Sequence, residues 1–138
     1  MKQKDKELLI KDLCARIQYE VKVNINPKYL SEGLIKSGYN NPLVVYGITA
    51  DGSMSFTLDK FLMEYSMPIS SINPYLFPFS SMTKEQSKIY HELIRGMFGT
   101  SVLINLETLI DWLHTNHFDY RGLIGKGLAI DATNLNIY

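Results

Sequence analysis

The spacing of the apolar residues changes abruptly near residue 20, and this change constrains the fold more than any other feature of the sequence. Across residues 5–18 apolar side chains recur every three or four positions, which is typical of an amphipathic helix. They are Leu9, Ile10, Leu13, Cys14 and Ile17. Val21, Val23 and Ile25 then alternate with polar residues, which indicates a half-buried strand. A helix that leads directly into a sheet is therefore expected.

The same spacing of three and four residues assigns the other residues of the first helix to the apolar stripe or to the opposite face. Lys6, Lys11, Asp12 and Arg16 fall largely opposite the apolar stripe, so we expect them to form a solvated face. Cys14 lies on the stripe and is predicted to be a buried thiol. Because it is the only cysteine, an intrachain disulfide and a zinc site built on cysteines are both excluded.

The middle of the chain predicts a hairpin followed by an extended stretch. Asp51-Gly52 separates two segments rich in β-branched and aromatic residues, 43–49 and 53–58, and this arrangement is a strong hairpin signal. Residues 61–67 are interpreted as a third strand. Three prolines then favour an irregular or extended conformation over 69–79. A short helix over 28–37 is a further interpretation.

The second half of the chain predicts two helices and an extended tail. Thr83 and Gln86 match the capping box that begins a helix. Asn105 is predicted to cap a third helix, after the short apolar segment 101–104. Residues 122–138 contain three glycines and a short apolar run, so we expect an extended segment laid on the core.

These elements together predict an α+β fold, with residues 1–138 forming a single domain. It would comprise an N-terminal helix, a small antiparallel sheet, two packed helices and an extended C-terminal segment. Because the first helix leads into several short strands, a small SH3- or Sm-like barrel is an alternative form of the sheet.

Charge and hydropathy exclude several classes of function. Fourteen basic residues balance fourteen acidic ones, whereas nucleic-acid binding usually leaves a basic excess, so we expect no nucleic-acid partner. The N-terminal residues lack the apolar segment of a signal peptide. No apolar run reaches the roughly 18 residues of a membrane span, so we expect a cytoplasmic protein without a membrane partner.

The stretch 111–122 concentrates the polar side chains that could carry chemistry. Asp111, His114 and His117 are spaced three residues apart, so on a helix they would lie along one edge and could bind a metal. The alternative is an exposed His114 and a charged His117 at the end of the helix, where the helix dipole favours a cation. The second interpretation is the one we favour, and we predict no cofactor.

Two further groups are candidates for binding a partner. Arg121 could bind a carboxylate or phosphate through its guanidinium group. Alternatively, Asp119 could neutralise Arg121 and order the turn before Gly122. Tyr120 lies between them. The stretch 75–79 is strongly aromatic, and Tyr75 and Phe77 would form a recognition patch if exposed, or join the sheet to the second helix if buried. The predicted binding residues are Tyr75, Phe77, Tyr120 and Arg121.

No nucleotide or nucleophile motif is complete. The glycines of 122–127 do not have the spacing of a phosphate-binding loop, and the sequence lacks the Gly-x-Ser-x-Gly turn of many hydrolases.

Three segments resemble a known group of proteins. The first comprises the run from Lys11 to Arg16, Tyr19 and residues 21–23. The second runs from Pro74 to Thr83. The third comprises the run from His117 to Ile124 and residues 126–129. Together they resemble small uncharacterised proteins of phages, prophages and mobile elements of Bacteroides-type gut bacteria. Residues 17–20 depart from that group's usual Leu-Pro-Tyr-Gly. The resemblance implies a phage or mobile-element origin and a host-cell cytoplasmic location, but no activity.

The sequence thus favours a non-catalytic protein-binding module, whose partner is another protein or a second copy of the chain. Whether the chain is an enzyme stays open. Two alternatives are a metal-dependent hydrolase or nuclease that uses Asp111, His114 and His117, and a nucleic-acid-binding small barrel.

Overall fold

The computed structural model describes residues 1–30, 32, 42–48, 53–58, 61–96 and 102–138. Their helices and strands confirm an α+β fold. The helices are α1 (Gln3–Arg16), α2 (Lys84–Gly96) and α3 (Val102–Thr115). The strands are β1 (Lys22–Ile25), β2 (Leu43–Ile48), β3 (Ser53–Leu58), β4 (Phe61–Pro68), β5 (Ile72–Leu76) and β6 (Ile130–Asp131).

The six strands form one sheet in the order β4-β3-β2-β1-β5-β6. Four of the pairs are antiparallel, and the β2–β3 pair places Ile48 opposite Met54, which confirms the predicted hairpin strands. The hairpin turn itself lies outside the described residues. The fifth pair, β5 with β6, is parallel, so the prediction of a purely antiparallel sheet is wrong at that edge. The strand order is linear, so the described strands form an open sheet rather than the alternative small barrel.

The central strand β1 follows the predicted alternation, with Val23 and Ile25 buried. It lies between β2 and β5, and Val23 is paired with Pro74 of β5. The prolines of 69–79 predicted an extended conformation, but not that part of this stretch would pair in the middle of a sheet. Pro27 starts a single 3-10 turn that includes Tyr29. Most of the predicted helix over 28–37 lies outside the described residues.

Helix α1 forms where the spacing predicts it and buries Leu9 and Leu13 of the predicted stripe, but its buried face is rotated toward Asp12 and Arg16. The buried residues are Leu9, Asp12, Leu13 and Arg16, whereas Cys14 is exposed. The predictions of a buried thiol and of a solvated Asp12 and Arg16 are therefore wrong. The physical reason is that positions 9, 12, 13 and 16 also follow the i, i+3, i+4, i+7 spacing of one helix face. Pairing between Asp12 and Arg16 makes that face compatible with burial.

The capping box of α2 forms as predicted. The backbone N–H of Gln86 donates to Thr83 Oγ1 at 3.1 Å, and the N–H of Thr83 donates to Gln86 Oε1 at 2.9 Å. Helix α3 begins at Val102, so the prediction that Asn105 is its cap is wrong. The Asn105 side chain instead donates to the carbonyl of Gly96, where α2 ends.

The buried apolar residues form two clusters. The first, called the sheet core, joins α1 to the sheet and the C-terminal segment. Its buried members are Leu9, Leu13, Val21, Val23, Ile25, Leu43, Val45, Met67, Ile69, Ile72, Leu76, Leu123, Leu128 and Ala129. The second, called the helical layer, joins α2 and α3, and its buried members among the residues whose burial is described are Leu109, Leu113 and Phe118. The C-terminal tail therefore packs on the core, as expected from its apolar run.

Candidate functional site

A buried ion-pair cluster joins α1 to the segment that follows α3. The Asp12 carboxylate accepts hydrogen bonds from Arg16 Nε at 2.8 Å and from Arg121 Nε at 3.1 Å. The side chains of Asp12 and Arg16 are fully buried, whereas that of Arg121 is 21% exposed. Arg16 also donates to the carbonyl of Phe118 at 2.7 Å. One carboxylate therefore binds two guanidinium groups from distant parts of the chain.

This cluster has one more positive charge than negative. Arg16 Nη1 is buried and has no hydrogen-bond partner among the described residues. The positive charge acts on both nearby histidines, because Arg16 helps to lower the pKa of His114 and of His117, after burial as the larger cause. An ion-pair cluster of this kind contributes little net stability, but removing one member leaves a buried charge uncompensated.

His114 and Tyr120 form a polar pair beside the cluster. His114 Nε2 lies 2.9 Å from the Tyr120 hydroxyl. The Tyr120 ring lies next to both guanidinium groups, 5.4 Å from Arg16 Cζ and 4.7 Å from Arg121 Cζ. Burial lowers the pKa of His114 and raises the pKa of Tyr120, so both side chains are neutral at pH 7. The prediction of an exposed His114 is wrong, because only 4% of it is exposed.

Asp119 orders the turn before the glycines, but not by the predicted pairing with Arg121. Its carboxylate accepts hydrogen bonds from the backbone N–H groups of Leu123 and Ile124, both at 2.8 Å. Arg121 reaches instead to Asp12 of α1. The predicted neutralisation of Arg121 by Asp119 is therefore wrong, and Asp119 instead orders the backbone around Gly122.

The three residues considered as metal ligands have separate partners. Tyr19 donates to Asp111 Oδ1 at 2.7 Å, and this hydrogen bond raises the pKa of Tyr19. His114 is bonded to Tyr120. Within the described ranges, which include all three residues, no group of three or more His, Cys, Asp or Glu side chains could hold a metal ion. The geometry therefore offers no support for the metal-dependent alternative.

His117 ends α3 in a left-handed backbone conformation, with φ of 55°. Its N–H donates to the carbonyl of His114 at 3.0 Å, and the next N–H, from Phe118, donates to the carbonyl of Leu113 at 2.9 Å. This pair of bonds is the Schellman arrangement, in which glycine is the usual residue at the left-handed position. A histidine here is under backbone strain that a glycine would avoid.

The His117 imidazole is buried and neutral. It stacks on the Tyr138 ring at a centroid distance of 3.7 Å, and its Nδ1 has no hydrogen-bond partner among the described residues. Burial, followed by the charges of Arg16 and Lys22, lowers the pKa of His117 to about 4. The predicted position at the helix end is confirmed, but the predicted positive charge is wrong because the burial outweighs the helix dipole.

Tyr138 is held in place by the neighbouring strands β1 and β5. Its hydroxyl accepts from the N–H of Lys22 at 3.0 Å and donates to the carbonyl of Tyr75 at 2.8 Å. The Lys22 ammonium lies 5.3 Å from the centroid of the same ring. The Tyr138 ring is thereby fixed as a support for His117.

A pocket of about 370 Å³ lies between the start of α2, the end of α3 and Tyr138, and is called the His117 pocket here. Its lining side chains are all uncharged, given a neutral His117. They are Phe77, Ser81, Thr83, Gln86, Thr115, Asn116, His117, Phe118 and Tyr138. The pocket thus combines aromatic rings with hydroxyl and carboxamide groups.

The predicted binding residues are distributed around these features. Tyr75 lies in β5 and is only 9% exposed, so its ring packs inside the protein. Phe77 lines the His117 pocket and packs beside Phe118. Tyr120 and Arg121 lie at the ion-pair cluster, where both keep part of their surface exposed. The sequence interpretation missed Asp12, Arg16 and Tyr138, although the four-residue spacing of Asp12 and Arg16 was a usable signal.

Comparison with known proteins finds no matching family model, no matching curated protein and no matching solved structure. Among the described residues, none of the helices has the length and apolar character needed to cross a membrane.

Proposed function

We propose that this chain is a non-catalytic protein-binding module of phage or mobile-element origin, whose partner is a host or phage protein or a second copy of the chain. The observation that carries the proposal is the exposure of apolar side chains on α2. None of the residues of α2 is buried. Ile89 is 42% exposed and Phe79, just before the helix, is 40% exposed. Exposed apolar residues that lie next to one another are typical of interaction sites, and the Phe79 ring lies against Tyr90 of α2.

The aromatic residues beneath this surface are rigidly supported. Phe79 and Tyr90 have ring centroids 5.4 Å apart, and Tyr90 stacks on Trp112 at 6.3 Å. Large aromatic side chains that are held in place lose little conformational entropy when a partner covers them, and they dominate the energy of many interfaces. We define the α2 surface as Phe79, Ile89 and Tyr90.

Arg121 offers a second, polar contact for a protein partner. Its Nε is bonded to Asp12 and its side chain is partly exposed. A carboxylate on a partner that approached Arg121 would meet the excess positive charge of the ion-pair cluster. A host-modulating role is the form of this proposal that the resemblance to phage and mobile-element proteins suggests.

The two buried histidines favour binding over catalysis. His114 is bonded to the Tyr120 hydroxyl and His117 stacks on Tyr138, and burial lowers the pKa of both. A general base needs a positioned nucleophile or water within hydrogen-bond reach. Neither histidine is paired with a serine, threonine or cysteine side chain in the described part of the chain.

The test compares two substitutions that each place a charge on an exposed apolar residue. Ile89→Glu alters the α2 surface, whereas Leu135→Glu alters a residue that is 48% exposed in the C-terminal segment. Tagged versions of both variants and of the unaltered chain are used to capture partners from a bacterial lysate, with and without nuclease. Sedimentation of the purified proteins over a range of concentrations measures self-association.

The proposal expects one protein, or a second copy, to bind the unaltered chain and Leu135→Glu but not Ile89→Glu, with or without nuclease. Equal binding by all three versions would overturn the α2 surface as the contact. Capture that disappears with nuclease would favour the nucleic-acid alternative instead. Stoichiometric metal in untagged protein, lost in His114→Ala, would favour the metal-dependent alternative.

A further inference from the structure

We propose that the His117 pocket binds a small, uncharged, planar ring with hydrogen-bonding groups on its edge, which is the chemistry of a nucleobase. This site is separate from the α2 surface, and the proposal does not depend on a protein partner.

Three observations identify His117 as the centre of the pocket. Its backbone is in a left-handed conformation that glycine adopts more readily. Its side chain is more than nine-tenths buried, and its Nδ1 has no hydrogen-bond partner among the described residues. It lines a pocket of about 370 Å³. Strained residues and unpaired buried polar atoms tend to occur at ligand sites, where a ligand can compensate for them.

The lining offers a charged ligand no ion-pair partner. No Asp, Glu, Lys or Arg lines the pocket, and burial keeps the His117 ring neutral. Moving an ionised group from water into a site without an opposite charge costs several kcal/mol. An uncharged ligand avoids this cost.

The carboxamides of Gln86 and Asn116 match a planar ring edge. Gln86 Nε2 donates to Asn116 Oδ1 across the pocket at 3.4 Å, which is long for a hydrogen bond. Asn116 Nδ2 already donates to the carbonyl of Trp112, which fixes its orientation. A ring with adjacent donor and acceptor groups could replace the long contact with two shorter bonds, as Asn and Gln do when they bind adenine.

The aromatic residues provide a face for the same ring. Phe77 and Tyr138 line the pocket and keep part of their surface exposed, and aromatic side chains stack on bases independently of base identity. The pocket volume lies at the lower end of the about 300–1,000 Å³ that ligand sites occupy, which suits a single base or nucleoside.

The experiment titrates the full chain with four compounds and follows the backbone amide signals by two-dimensional NMR. Adenosine and uridine are the uncharged planar probes. Benzoate is planar but charged, and glucose is uncharged but not planar. The expected result is saturable shifts at Gln86, Asn116 and His117 with a nucleoside, and weaker binding of benzoate and glucose.

Two variants test the assignment to His117. His117→Asn retains a residue that tolerates the left-handed conformation, so the fold should persist. Its affinity for the nucleoside should fall at least about tenfold, the equivalent of about 1.4 kcal/mol. His91→Asn changes an exposed histidine of α2 that does not line the pocket, and Ile89→Glu changes the α2 surface. Both should bind the nucleoside as the unaltered chain does.

Four outcomes would overturn the proposal. They are the absence of saturable shifts with either nucleoside, tighter binding of benzoate, equal binding of glucose, and unchanged affinity in a folded His117→Asn variant. If Ile89→Glu abolishes protein capture but not nucleoside binding, the two sites are independent. If nucleoside binding fails while capture persists, only the pocket proposal fails.

Discussion

The sheet core and the helical layer differ in how completely they remove apolar side chains from water. In the described part of the chain the sheet core buries fourteen apolar residues and packs six partly buried ones against them. The helical layer buries three and relies on eight partly buried ones. The sheet core therefore supplies most of the hydrophobic stabilisation, whereas the helical layer leaves apolar surface available to a partner. The ion-pair cluster lies where the two regions meet.

The largest loss of stability is expected on substitution in the ion-pair cluster. Asp12→Ala leaves Arg16 buried and Arg121 partly buried without a counter-charge, so the free energy of unfolding should fall by about 3–5 kcal/mol. Urea denaturation measures this change. Glu7→Ala removes an exposed carboxylate from the same helix and should change stability by less than about 0.5 kcal/mol. A similar small cost for Asp12→Ala would show that the cluster does not connect the two regions energetically.

Replacing one buried leucine by alanine in each region should show how the cost in stability differs between the sheet core and the helical layer. Leu13 of α1 is fully buried in the sheet core, and Leu109 of α3 is among the three buried residues of the helical layer. We expect Leu13→Ala to cost near the top of the about 2–5 kcal/mol range for such substitutions, and Leu109→Ala near the bottom. The helical layer buries fewer described residues, so it can relax more easily into the cavity that the missing side chain leaves. Equal costs would contradict the difference in packing.

Acid should destabilise the end of the helical layer. The pKa of His117 is lowered to about 4 in the folded protein, from an ordinary value near 6.5 when unfolded. The unfolded state therefore takes up the proton first. The contribution of His117 to stability is fully present above pH 6.5 and is lost as the pH falls toward 4, by on the order of 3 kcal/mol in all. Burial lowers the pKa of His114 as well, which acts in the same direction.

The measurement is urea denaturation at several pH values between 7 and 4, for the unaltered chain and for His117→Asn. The difference between the two isolates His117 from the carboxylates that titrate in the same range. A difference that is constant with pH would contradict a buried, neutral His117.

The smallest effect is expected at the start of α2. Thr83→Ala removes the side chain that accepts from the Gln86 N–H, which should cost about 1 kcal/mol. Lys88→Ala, on the exposed side of the same helix, serves as the control and should be close to neutral. If Thr83→Ala is also neutral, α2 is held by its packing and not by its cap.

Local sequence patterns predicted which helices and strands form better than they predicted which side chains of those elements are buried. The spacing of apolar residues located α1 and β1, the Asp51-Gly52 pair indicated the hairpin strands, and Thr83 with Gln86 located the start of α2. The apolar spacing identified Leu9 and Leu13 of the buried face of α1 but not Asp12 and Arg16, because the shift of the buried face toward these two residues preserves helical spacing. The choice between the faces depends on Arg121 and on the Phe118 carbonyl, more than 100 residues away. No local pattern contains that information.

In the candidate site, too, the sequence indicated where the polar residues lie along the chain but not which of them are buried. The sequence indicated that 111–121 is the polar part of the chain, and that a histidine ends α3. The burial of His114 and His117 depends on Tyr120 and Tyr138, and the neutral lining of the His117 pocket depends on residues from four segments. These contacts are tertiary, so they became visible only in the folded chain.

The contacts of Asp12 and Arg16 with Arg121 and the Phe118 carbonyl also determine when the fold can be completed during synthesis. A ribosome makes residues 12 and 16 first, and their charges stay without these partners until residues 118 and 121 have emerged. The first helix cannot enter its final environment before then, and contacts between such distant residues form slowly. Completion of this fold therefore waits until residue 121 has emerged from the ribosome.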